Sequence, residues 1–224
     1  MSASVNPDIV TDGLVLCLDA ANPKSYPGTG TTWYDLSGTG DTSTLTNGPG
    51  FDSANNGSIT FDGVDDYVLT SNSYALGLNP FAIDIWLKRV GDPIVNASLF
   101  ASNATQTETN YQLAFNANGT IRMAIGTTVT TCGFIPDSTW THYCFSRESA
   151  TSTGGKSYIN GVLDRTVDTS ADLSQLITYR IGRNRAGTTY YNGYIASIKF
   201  YHNKSLTPEE VKQNFAAVRG RYGV

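Results

Sequence analysis

Short runs rich in apolar residues recur along the whole chain, each closed by Gly, Asn, Asp or Pro, and that spacing admits few folds. FAIDIWLKR (81–89) shows the period of two most clearly, with Phe81, Ile83, Ile85 and Leu87 on one face of a strand. GLVLCLD (13–19) reads as the first strand. SITFD (58–62) and DYVLT (66–70) flank an Asp-Gly turn, which predicts a hairpin. YQLAFN (111–116) and TIRMAI (120–125) flank Asn118-Gly119 and predict a second. WTHYCFSR (140–147), KSYIN (156–160) and VLDRTV (162–167), the last two joined by Asn160-Gly161, predict a third. ITYRIG (177–182) and YYNGYIASIKFYH (190–202) complete the β part. Residues 22–57, rich in Gly and Thr, read as a loop too long for an ordinary connection and so as a working surface.

The expected fold is therefore all-β, a two-sheet antiparallel jelly-roll sandwich with one short C-terminal helix. Thr207-Pro208-Glu209-Glu210 supplies an N-cap, a proline at the first helical position and a capping-box Glu. Val211, Phe215 and Val218 then form one apolar stripe, so the helix runs about 207–218. Composition agrees. Thr, Ser, Asn and Gly make up 87 of 224 residues, and only four of 19 acids are Glu, against the habit of helical proteins. With no repeat, heptad or low-complexity linker, residues 13–224 read as one domain preceded by a polar arm, residues 1–12.

The formal charge of −4 argues against nucleic acid as a partner. Arg180, Arg183 and Arg185, with Arg219 and Arg221, are the nearest thing to a basic cluster and read as solvated loop charges. No secretory signal opens the sequence, and no apolar run is long enough to insert in a membrane. Cys17 reads as a buried strand residue. Cys132 and Cys144 could face each other across a hairpin, but reduced thiols are the expectation.

Two constellations carry possible chemistry. Asp62, Asp65 and Asp66 place three carboxylates within five residues at a turn, hard oxygen donors suited to a structural Ca²⁺; the alternative is a plain Asx turn. Sugar binding needs an exposed ring beside planar polar groups. Trp33 and Tyr34 in the long loop, and Tyr190, Tyr191 and Asn192 at the start of the last strand, are the candidates. Adjacent strand residues point to opposite faces, so only one of Tyr190 and Tyr191 can face outward. Trp86, Trp140, His142 and His202 read as structural.

GLVLCLDAANP, GSITFDGVDDYV, FAIDIWLKR, WTHYCFS with KSYINGVLD, YRIGRN, YNGYIASIKFY and SLTPEEV occur in the order found in laminin-G-like domains of the concanavalin A-like lectin/glucanase superfamily, which the chain resembles over roughly 13–213. That resemblance implies the jelly roll but no single function, since the fold hosts enzymes, lectins and structural modules. The superfamily's common glucanase site is E-x-D-x-E on one strand; here no two Glu are four apart, so no catalytic residue is expected. DAANPKSYPGTGTTWYDLSGTG, LTNGPGF and LTPEEVKQNFAAVRGRYG resemble laminin-G-like virion proteins of tailed bacteriophages, marine and cyanobacterial ones in particular.

The narrower likeness implies a non-enzymatic structural protein, assembled in the host cytoplasm and displayed on the virion surface. Its partners would be capsid or tail proteins, with host surface glycans as a further ligand and a homo-oligomer, such as a trimer, compatible with capsid symmetry. Capsid decoration is favoured over a tail-fibre lectin module because no coiled coil or β-helical stalk is evident. A glycan hydrolase with an unusual acid pair is the remaining alternative.

Overall fold

The computed structural model describes residues 8–103 and 111–224. Its strands are β1 (Leu14–Asp19), β2 (Thr32–Tyr34), β3 (Thr42–Thr46), β4 (Gly50–Asp52), β5 (Ser58–Asp62), β6 (Tyr67–Leu69), β7 (Phe81–Arg89) and β8 (Ser98–Ser102). There follow β9 (Tyr111–Phe115), β10 (Thr120–Ile125), β11 (Thr128–Phe134), β12 (Thr141–Arg147), β13 (Gly155–Ile159), β14 (Val162–Val167), β15 (Tyr179–Ile181) and β16 (Asn192–His202), then helix α1 (Pro208–Val218). They form two eight-stranded antiparallel sheets. One runs β14-β13-β12-β7-β16-β5-β4, with β1 added on β16; the other runs β11-β10-β9-β8-β15-β6-β3-β2. Along one edge of β16, residues 192–195 pair with β5 and residues 197–201 with β1, while β7 takes the other edge.

The inner faces meet in one core that contains Phe81, Ile83, Ile85 and Leu87, as the alternation of β7 requires. The Asn118-Gly119 and Asn160-Gly161 hairpins form as read. The Asp62-Gly63 turn does not make a hairpin. β5 pairs with β4 and β16 in the first sheet, whereas β6 pairs with β3 and β15 in the second. The Asp62 carboxylate accepts from Val64 N (2.8 Å), and Asp66 accepts from Asp62 N (3.1 Å), so the turn is an Asx-capped corner between sheets.

Residues 22–57 are likewise not one loop. β2, β3 and β4 lie within them, hidden because Ser43 occupies an inward position of TSTLT where an apolar residue would have marked the strand. Cys132 and Cys144 sit in different sheets and in different hydrophobic clusters, so they do not face each other; all three cysteines are free. Burial pushes the Cys17 thiol up to about 11.

The outer face of the first sheet is covered as well. α1 begins with the expected capping box, Thr207 Oγ1 accepting from Glu210 N (3.2 Å) and Glu210 Oε2 from Thr207 N (2.8 Å). Its stripe lands on Trp86, which stacks on Phe215 (5.7 Å between centroids) and on Tyr222 (4.5 Å). Beneath the helix Asp84 is fully buried. It accepts from Lys199 Nζ (3.0 Å) and Asn214 Nδ2 (3.1 Å) and lies 2.8 Å from His142 Nε2. Asn214 Oδ1 accepts from Val10 N (2.8 Å), and the Tyr201 hydroxyl donates to Val10 O (3.0 Å), so residues 8–12 of the arm are tied to the same group. Residues 1–7 lie outside the described residues.

Burial by itself would raise the Asp84 carboxyl, but Lys199 and His142 outweigh it and hold the group well below the usual carboxylate range. A depressed carboxyl stabilises the fold above its unfolded value, about 3.9, and that contribution is lost as pH falls below it. Asp84→Ala should cost about 3–5 kcal/mol by stranding Lys199 and His142. The measurement is the urea midpoint at neutral pH with unchanged slope. A midpoint within error of the parent would show that the network does not hold the helix and arm in place.

Candidate functional site

With α1 and the arm closing one sheet, the outer face of the second sheet is the one left open among the described residues. Alternation assigns its side chains: Tyr111, Leu113, Ile121, Met123 and Ile125 point into the core, leaving Gln112, Arg122 and Ala124 on the outside. Gln112 lies opposite Ala124, and Ala124 in turn opposite Val129 of β11. The segment after β15 folds back beside this patch and, with it, lines an open cavity of about 390 Å³.

That segment is built around Asn184, which is buried and donates from Nδ2 to Thr188 Oγ1 (3.1 Å) while Oδ1 accepts from Thr188 N (2.9 Å). Gly187 has a φ of +72°, a backbone conformation that side-chain-bearing residues rarely adopt, and a Cβ there would displace the Arg183 guanidinium. Arg180 Nη1 donates to Arg185 O (2.8 Å) and fixes the backbone that presents Arg185 to the cavity. The Arg183 guanidinium lies 4.7 Å from the Tyr67 ring centroid and 5.7 Å from that of Tyr190. Arg180, Arg183 and Arg185 are thus half-buried and positioned, not solvated loop charges. Burial lowers Arg122, and the charge of Arg185 lowers it further; burial lowers Arg180, with Arg183 adding to it. Among the described residues none of these four arginines has a carboxylate within ion-pair distance.

The expected aromatic candidates separate. Trp33 is fully buried in the core from the middle of β2, and Tyr191 is buried against Phe61 and Phe115, the latter stacked at 6.0 Å. Neither can offer a ring face: Trp33 occupies an inward position of β2, and Tyr191, just before β16, points into the core. Tyr190 is the outward member of its pair and half-buried; Asn192 is exposed. Tyr34 is 46% exposed but lies on the edge strand, three strand spacings from β15 or roughly 14 Å, so it does not join Tyr190.

Tyr190, Asn192 and Asp62 do converge, on a smaller cleft of about 130 Å³, because Asn192 and Asp62 are register partners on β16 and β5. Asn96, Gln112, Arg122 and Asn184 escaped the sequence reading, since each is an isolated polar residue until the sheet assembles them. The one usable signal was the Arg180, Arg183, Arg185 run.

The acid trio also comes together: ligand oxygens of Asp62, Asp65 and Asp66 lie within 4.8 Å of one another. The Val64 N–H is the chief influence holding Asp62 below the usual carboxylate range. Burial, then the neighbouring Asp62 and Asp65 carboxylates, push Asp66 up against the pull of the Asp62 N–H. Hard donors with like charges crowded together suit Ca²⁺, although its six to eight oxygens would have to be completed by water.

A family model described as "Concanavalin A-like lectin/glucanases superfamily" (Laminin_G_3) matches residues 62–212. The chain belongs to this superfamily. Its fold is shared with domain 4 of AbnA, an extracellular GH43 arabinanase of Geobacillus stearothermophilus solved with arabinotriose (TM-score 0.68, 16% identity, 91% of this chain and 98% of that one). It is shared with Trypanosoma rangeli sialidase (0.70, 15%, 98% and 36%) and with the binding domain of botulinum neurotoxin serotype G (0.67, 13%, 90% and 50%). The chain thus spans about a third of the sialidase and half of the toxin domain. At these identities the likeness concerns fold alone. No curated protein matches the sequence. No helix among the described residues is long and apolar enough to cross a membrane.

The superfamily member should respond to Ca²⁺ if the trio is a metal site. Millimolar Ca²⁺ should then raise the thermal midpoint, EGTA should reverse the rise, and Asp66→Asn should abolish it. A midpoint indifferent to Ca²⁺ leaves the trio as an Asx-capped corner only.

Proposed function

We propose that this chain is a non-enzymatic carbohydrate-binding and adhesion module of a phage particle, displayed on the virion surface as a capsid decoration and docked on capsid or tail subunits. The observation that carries the binding part is the open face of the second sheet. Its cavity is lined by planar amide and guanidinium side chains beside the apolar Ala124 and Val129, the mixture a sugar ring needs on its polar edge and its C–H face. The half-buried Tyr190, close to Asn192, supplies a ring at the neighbouring cleft.

The absence of catalysis is supported by the missing E-x-D-x-E pattern and by the engagement of the Asp62 and Asp66 carboxylates with backbone amides. The virion role rests on the segments that resemble tailed-phage proteins, at residues 19–40, 45–51 and the C-terminal helix. A tail-fibre lectin module would use the same surface.

A glycan array should give binding to a subset of glycans without release of reducing sugar. Tyr190→Ala should weaken that binding about tenfold while leaving the melting temperature within a few degrees. Absence of binding to every glycan would overturn the carbohydrate reading. Particles whose cryo-electron microscopy density lacks this chain would overturn the virion role.

A further inference from the structure

The cavity on the second sheet has a charge its surroundings do not explain. The chain carries a net charge of −4, yet Arg122 and Arg185 line the same cavity, close enough for Arg185 to disfavour the charged form of Arg122 beyond what burial does. Neither has an acidic partner among the described residues. Half-buried cations without a counter-ion are costly, and the usual remedy is a carboxylate nearby. Here the fold instead devotes several contacts to keeping the Arg185 segment in place. Arg180 grips the backbone of Arg185, Asn184 braces the segment, and Thr189 Oγ1 ties it to Asn96 O (3.0 Å). Gln112 is held by Ser98 (2.9 Å), while the buried Oδ1 of Asn96, beside it at the cavity wall, has no hydrogen-bond partner among the described residues.

We propose that this cavity binds the anionic group of an acidic sugar, a carboxylate or a sulfate ester, between Arg122 and Arg185. The proposal rests on the carbohydrate-binding reading and deepens it by naming the ligand class. A guanidinium offers a planar fork that takes two oxygens of such a group at once, and an anion in a cavity lined by two such forks neutralises a charge that has no other counter-ion there. Ala124 and Val129 give the ring an apolar seat. The volume of about 390 Å³ falls in the range of small-ligand sites.

Calorimetric titration of the full chain with matched oligosaccharides tests this: a uronic-acid oligosaccharide, its neutral carboxyl-reduced counterpart, and a sulfated form of the neutral one. An acidic member should bind at least tenfold more tightly than the neutral one, and more weakly as salt rises. The carboxylate and sulfate arms decide which anion is preferred. Arg122→Gln and Arg185→Gln should each remove the preference, lowering acidic-sugar affinity roughly 10- to 100-fold and neutral-sugar affinity far less, while leaving the thermal midpoint unchanged. Equal or tighter binding of the neutral sugar, or full affinity in both variants, would overturn the acidic-ligand assignment and leave the carbohydrate reading standing. No binding of any of the three, together with a silent array, would overturn both.

Discussion

Asp84 is the group on which the arrangement of the whole molecule turns. It sits in the middle of β7, fully buried, and gathers Lys199 from β16, His142 from β12 and Asn214 from α1. Through Asn214 and Tyr201 the same network holds Val10 of the N-terminal arm. An ionised carboxylate in such a place survives only because two cationic or protonatable partners and an amide surround it. Hydrophobic burial could seat the helix in many rotations; this network accepts one.

The consequence reaches the opposite side of the sandwich. Because α1, Tyr222 and the arm cover the first sheet, its outer residues become a second interior, with Trp86 stacked between Phe215 and Tyr222. Among the described residues the second sheet has no such cover. Its outer face is where side chains can meet a ligand, and the segment after β15 turns a flat sheet into a concave surface by folding beside Gln112 and Arg122. A closed face for stability and an open one for contact is a division that a two-layer sandwich makes available to any sequence able to cap one layer.

Much of this was readable residue by residue. The alternation of β7, the two Asn-Gly hairpins and the capping box of α1 are local rules, and each is obeyed in the structure. The readings that failed needed information about partners. The Asp62-Gly63 turn has hairpin chemistry, but β5 and β6 each pair with other strands, so the turn became a corner. β3 carries Ser43 where its pattern needed an apolar residue, so three short strands passed for a loop. Trp33 looked available only while its segment lacked a strand to point it inward. Cys132 and Cys144 seemed to face each other because adjacent runs were assumed to share a sheet.

By itself, then, the sequence determined the class of fold, the inward-facing sets, the turns that carry Gly or Asn, and the start of the helix, since all of these follow from the period of side chains along a strand or helix and from backbone sterics. Only the tertiary structure decided which sheet each strand joined, which face was covered, and which polar residues ended as neighbours. Arg122, Gln112, Asn184 and Arg185 are scattered over more than seventy positions and share no local pattern. Nothing short of strand pairing across the second sheet brings them to one cavity, because pairing is settled by long-range burial and hydrogen bonding that no local window of residues contains.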